Sequence, residues 1–198
     1  GHLLFNLGNA YYRMDELGEA VLHYERARAV IPRDADLRFN LAHAKDQVID
    51  SVAGAQGLVD VTFFWIDSIN LQESFWIFAA ANFLFWAVLA VRHFIRSELL
   101  YYALLFAVAF WLVSGISLGV KWIRIKTDNR AVVVQKEIEV RSGPDIHDTV
   151  LFKLHEGTIV RLERSEGQWS LVRVSENKRG WTGPEAIVPV RALGPEAA

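Results

Sequence analysis

The chain has 198 residues, 52% of them hydrophobic, with a formal net charge of −2 at pH 7. This near-neutral balance gives no argument for nucleic acid. The complete lack of cysteine excludes disulfides, thiolate metal sites and a cysteine nucleophile, and fits any compartment. The average mixes a polar N-terminal part, an apolar middle and a polar C-terminal part. Gly1 already lies inside a helical pattern, so a fragment is expected, with the true N-terminus and any signal peptide missing.

Residues 1–34 carry Leu4, Leu7, Gly8, Tyr11, Ala20, Tyr24, Ala27 and Pro32 at a spacing that suits a helix–turn–helix unit. Gly8 and Ala20 are small where two helices would cross, Tyr11 and Tyr24 fill the space beside them, and Pro32 ends the second helix. These residues resemble the signature of a tetratricopeptide repeat. A second unit starts at Ala35, with Leu41 and Ala42 in place of Leu7 and Gly8. Lys45 then replaces the tyrosine, and Asp50 to Gly57 reads as a break. Region 1–50 thus holds one and a half repeats, whereas about three are usually needed for an independent core. Earlier repeats are expected upstream of Gly1.

Such repeats stack into a curved array whose inner face binds extended peptides. The resemblance places His2, Phe5, Asn9, Tyr12, Arg13 and Asn40 on that face, the expected partner-binding surface. Asn9 and Asn40 match positions that hold a peptide's C-terminal carboxylate in chaperone-binding members of the family. The lysine those proteins need four residues before Asn9 is Phe5 here, so asparagines bonding neighbouring backbone are the preferred expectation.

Residues 51–74 form an acidic linker. From residue 46 to 74 there is no Lys or Arg, but Asp46, Asp50, Asp60, Asp67 and Glu73 are present. Leu58, Val61, Trp65 and Ile69 fall on one helical face. Two readings stay open: a short helix in a membrane interface with Trp65 at headgroup level, or a piece that packs back on the repeat helices.

Ser74 to Val91 is a run of 18 residues without charge, and Leu99 to Val120 one of 22. The second would span roughly 33 Å as a helix, against a hydrocarbon core of about 30 Å. The first reaches full span if it continues to Ile95 with Arg92 snorkelling. Neither run shows a polar stripe, so two membrane spans, about 75–95 and 99–120, are expected around a tight hairpin. Trp76 and Trp122 mark one membrane edge, Tyr101 and Tyr102 the other. Arg92 and Arg96, with no basic residue before the first span, place the hairpin in the cytoplasm and both soluble parts outside. Lys121, Arg124, Lys126 and Arg130 argue the other way; the first span is followed. Gly115 and Gly119 form a G-x-x-x-G spacing near Ser114 and Ala107, suited to packing against the first span or to dimer formation. Asn82 is expected to bond across the hairpin. No ionisable residue lies mid-span, so nothing suggests ion or proton transport.

From Arg130 short alternating runs follow one another, with turns at Gly143-Pro144, Glu156-Gly157, Glu166-Gly167 and Asn177-Lys178. Six or so strands in this length predict a small β-barrel. The motifs VRSGP (Val140 to Pro144), LHEGTIV (Leu154 to Val160), GQWSLV (Gly167 to Val172) and RGWTG (Arg179 to Gly183) resemble the bacterial SH3-like domain over residues 131–190. Trp169 is expected in its core, and Trp181 either in the core or at the edge of a peptide groove. The absence of tyrosine from residues 131–190 argues against a proline-rich ligand of the eukaryotic SH3 type. Asp145, His147 and Asp148 read as a solvated turn rather than a metal site.

No nucleophile elbow, phosphate-binding glycine loop or H-E-x-x-H is present, and the six histidines share no helix face. An enzyme is not expected, nor a cofactor or a metal. The fold class expected is multidomain: helical repeats, a transmembrane hairpin and a small all-β barrel. With FNLGNAYYRM, HYERARAVIPRDADLRFNLAHA and INLQESFW, this order of parts resembles the BatE-like proteins of the bacterial Bat (aerotolerance) system. The resemblance implies a scaffold in the cytoplasmic membrane with periplasmic repeats. Its partners would be von Willebrand factor A-type membrane proteins and a MoxR-type ATPase. The alternative is a cell-wall anchor whose SH3-like domain binds peptidoglycan.

Overall fold

The computed structural model describes residues 1–50, 65–183 and 185–191. The chain divides into two compact units. One joins Gly1–Ala55 to Asp128–Ala198; the other is Gln56–Thr127.

The first unit opens with three helices, α1 (His2–Arg13), α2 (Leu17–Val30) and α3 (Ala35–Asp46). At the start of α3 the Asp34 carboxylate accepts from the Leu37 N–H at 2.9 Å, satisfying a donor that the helix leaves open. A Cβ at Gly8 would lie 2.6 Å from the Tyr24 ring, so α1 and α2 approach as closely as glycine allows. Ala20, Tyr24 and Ala27 are buried with Gly8, while Leu4, Tyr11 and Pro32 are half-buried and Leu7 is exposed.

Seven strands follow: β1 (Arg130–Val133), β2 (Glu137–Arg141), β3 (Val150–His155), β4 (Ile159–Glu166), β5 (Trp169–Ser175), β6 (Lys178–Thr182) and β7 (Ile187–Pro189). All pairings are antiparallel, in the order β3-β2-β6-β5-β4-β1-β7. The sheet does not close into the expected barrel: β3 and β7 are its ends. Beside β7 the carbonyls of Pro189 and Val190 accept from the Arg26 guanidinium of α2, at 2.9 and 3.1 Å. A helix side chain takes groups that a further strand would otherwise use.

Strand β1 is the wall between two cores. Val132 joins Ala20, Val21, Tyr24, Leu37 and Leu41 of the helices and Val48 just beyond α3, with Val190 completing the cluster. Its neighbours Ala131 and Val133 point the other way, into a second core with Val140, Leu154, Val160 and Val172. A Cβ at Gly18 would meet the Val133 carbonyl at 2.6 Å, so the start of α2 lies directly on β1.

In the second unit α4 (Leu71–Phe94) and α5 (Glu98–Lys126) form an antiparallel hairpin. Asn70 and Glu73 make a reciprocal capping box at the start of α4. Both helices are long and apolar enough to cross a membrane. Only 11% and 17% of their most apolar stretches are buried, whereas a hairpin in a water-soluble core would hide most of them. Phe83, Phe106 and Trp86 are among the apolar side chains left exposed. Between the helices Trp111 Nε1 donates to Asn82 Oδ1 at 3.2 Å, and Ala81 and Ala107 are buried. Phe78 packs at Gly115, where a Cβ would stand 3.1 Å from its ring; Gly119 has nothing within 4 Å. Within the described residues, then, only Gly115 of the spaced pair serves the hairpin.

The segment expected to lie in an interface, Leu58 to Ile69, falls outside the described residues up to Phe64. Its end contains a single 3-10 turn, Ile66–Ser68. Trp65 Nε1 donates to Ser117 Oγ at 3.2 Å, Lys121 Nζ to the Ile66 carbonyl at 2.7 Å, and Arg124 pairs with Asp67 at 3.2 Å. The turn is thus held on α5.

Because Val132 and Val190 complete the helical core, residues 1–50 alone should be largely unfolded. Their far-ultraviolet circular dichroism should show little helix and no cooperative melt. Strong helical signal with a sharp transition would show that the helices need no strand.

Candidate partner-binding surfaces

The first surface is where α1 faces α3. Phe5 is half-buried, with its ring 6.1 Å from Tyr24. The Asn9 side-chain oxygen accepts from Tyr24 Oη and from Asn40 Nδ2, each at 2.8 Å. Burial pushes the Tyr24 phenol above its ordinary value, which keeps it a neutral donor. The partners of the two asparagines are therefore side chains, not the backbone groups expected. Asn9 Oδ1 already accepts two internal bonds and Asn40 spends a donor on it, so the pair ties α1 to α2 and α3.

Beside that bridge stand side chains still open to a partner. Tyr12 contacts Gln47 through its hydroxyl and tilts over His43 at 5.9 Å. Phe39, 72% exposed, stacks on the same imidazole at 6.3 Å. Arg13 and His2 are exposed. An aromatic rim with one arginine beside it suits hot-spot chemistry, in which Tyr and Arg are enriched. Phe39 and His43 come from α3 and Gln47 caps its end; the weak match of α3 to the repeat pattern hid their part in this surface.

The two tryptophans of the sheet differ in burial. Trp181 is only 7% exposed, with the Arg164 guanidinium 5.3 Å above its ring, so it does not stand open as a groove edge. Trp169 is half-buried, because it opens β5 beside the turn at Gly167, where strand cover runs out. In the Asp145–Asp148 loop the Asp145 N–H donates to the Asp148 carboxylate and the His147 N–H to that of Asp145. Those bonds shape a turn. Among the described residues no group of three or more metal-ligating side chains converges.

The strongest electrostatic cluster joins helices to sheet. Glu25 of α2, with its side chain wholly buried, pairs with Arg28 at 2.8 Å, Lys45 at 2.5 Å and Arg130 at 2.9 Å. Burial alone would push its carboxyl up, but the charges of Arg28, Lys45 and Arg130 outweigh it and hold it below the ordinary range. Arg130 also forks onto Asp128 at 2.8 Å. Further contacts follow the same seam. Gly18 N–H donates to Glu156 at 3.1 Å, Lys136 pairs with Glu156 at 2.8 Å, and His155 Nδ1 meets Asp50 at 2.9 Å. Only the Glu25–Arg28 pair, three residues apart on one helix, was open to a sequence reading.

No protein-family model matches the chain, and neither the curated proteins nor the solved structures contain a significant match.

Removing the carboxylate would leave three cations facing a buried site. Glu25→Gln should therefore destabilise the first unit by about 3 kcal/mol, read as a lower thermal midpoint of the detergent-solubilised chain. A group whose folded pKa is depressed contributes stability above its unfolded value and loses it as pH falls through the folded one. The wild-type midpoint should thus drop below pH 4.5, the ordinary glutamate value, and Glu25→Gln should flatten that part of the profile.

Proposed function

We propose that the chain is a membrane-anchored scaffold. Its repeats hold protein partners, and α4 and α5 fix it in a bilayer. The observation that carries this reading is the hairpin: two long helices that keep most of their apolar surface exposed. The tetratricopeptide reading of α1 to α3 rests on the eight signature residues and on the close approach at Gly8. The SH3-like reading of the strands rests on the motifs from Val140 to Gly183 and on the seven short antiparallel strands. On the whole-chain resemblance, the partners are von Willebrand factor A-type membrane proteins with a MoxR-type ATPase, in a Bat-type envelope complex. The soluble unit lies outside the cytoplasm on this reading, since Arg92 and Arg96 sit in the hairpin. The partner surface is the rim around Tyr12 and Arg13.

Deleting the strands would remove Val132 and Val190 from the helical core, so the informative changes are single side chains. Tyr12→Ala with Arg13→Ala, in the chain expressed at native level, should strip co-purified membrane proteins while changing the folding stability by no more than about 1 kcal/mol. Retention of every partner would move the site off the helices; retention together with sedimentation on purified cell walls would favour the peptidoglycan anchor.

Topology has its own measurement. Single cysteines in place of Asp36, Ile95 and Ile146 should react with an impermeant thiol reagent in whole cells at 36 and 146 and not at 95. The opposite pattern reverses the orientation.

A further inference from the structure

Four arginines lie in one row across four neighbouring strands. Arg130 of β1 is opposite Arg161 of β4, which is opposite Arg173 of β5, which is opposite Arg179 of β6. Directly opposed residues of an antiparallel sheet project to the same side, with Cβ atoms about 4.5–5.5 Å apart, and like charges so placed destabilise the sheet. Arg130 is neutralised by Glu25 and Asp128. Arg173 has Glu163, which reaches it from the bulge between Leu162 and Arg164. Arg161 and Arg179 are exposed and have no ion pair among the described residues. The same side carries Arg164, bound to Glu166 at 3.0 Å and capping Trp181.

A row of like charges that weakens its own sheet calls for a multivalent anion to offset the repulsion. Guanidinium groups match phosphate oxygens in fork geometry. The covalent chain indicates which phosphates. Thr127, Asp128 and Asn129 alone separate Lys126, the end of α5, from Arg130. Four Cα steps reach at most about 14 Å. For a chain anchored by α5, headgroup phosphates are therefore the polyanion nearest to hand.

We propose that Arg161, Arg173 and Arg179 form a contact site for the phosphate groups of anionic phospholipids. It rests on the reading that α4 and α5 cross a bilayer.

The test uses the full chain with Asn177→Cys in the β5–β6 turn, labelled with an environment-sensitive fluorophore. It is reconstituted in vesicles of phosphatidylcholine alone and of phosphatidylcholine mixed equally with phosphatidylglycerol. The label should become shielded in the anionic vesicles only, and the shielding should fade as salt is raised. Arg161→Gln with Arg179→Gln removes the two unpaired charges. At the usual contribution of a basic residue near an anionic surface, the ratio of shielded to open label should fall about 30-fold. The thermal midpoint should not fall, because a repulsion has been relieved; a marked fall would make these arginines structural and overturn the proposal. Equal shielding in neutral vesicles, or no effect of the double substitution, would also overturn it. So would the same response to inorganic phosphate added to neutral vesicles, which would assign the row to a soluble anion. If an alkaline wash strips the chain from both vesicle types, the spanning reading and this proposal fall together. If the chain is retained and the label stays open in anionic vesicles, only this proposal falls.

Discussion

A buried carboxylate must find cations or give up its charge. Glu25 finds them on three elements: Arg28 on its own helix, Lys45 on α3 and Arg130 on β1. The pairing holds only when α2, α3 and the start of the sheet are all in place. Apolar contact across the same seam is non-directional, and Val132 among the helical leucines and valines would tolerate some sliding. Three charged partners with fixed geometry would not. The Glu25 cluster thus sets the register of helices on sheet, while the core around Val132 provides most of the adhesion.

The same contact reaches the edge of the sheet. β1 shows one face to the helices and the other to the second core, and Arg26 takes the carbonyls of Pro189 and Val190 next to β7. One strand is thus shared by two cores. Helices and strands therefore cannot be treated as separable modules, although each occupies its own stretch of sequence.

Local pattern made the elements themselves legible. The hairpin could be read because an uncharged run is visible without knowing its neighbours, and the helices exceed those runs by only a few residues, as at Glu98 and Lys126. The strands could be read from alternation and from their turns. What could not be read depended on residues far apart in the chain. Arg130 meets Glu25 across more than a hundred positions, and Asp50 meets His155 likewise. Trp169 and Trp181 look alike in sequence, and only the bulge near Glu163, which brings Arg164 opposite Leu171 and over Trp181, separates them. The Asn9–Asn40 bridge is half visible: the spacing picks out both asparagines, but in the sequence pattern the tyrosine between them, Tyr24, has a packing role alone.

The first unit is discontinuous, its helices encoded before the hairpin and its strands after it. During synthesis α2 therefore emerges long before the strand that completes its core, and has to wait for two apolar helices to be made. On the spanning reading, both halves can meet only if the hairpin has crossed the bilayer and come back. A chain in which one helix failed to insert would leave α2 and β1 on opposite sides, with Glu25 deprived of Arg130. Closure of the seam would then act as a checkpoint on insertion: a correctly threaded chain folds, and a misthreaded one presents open apolar surface to the proteases that clear such failures.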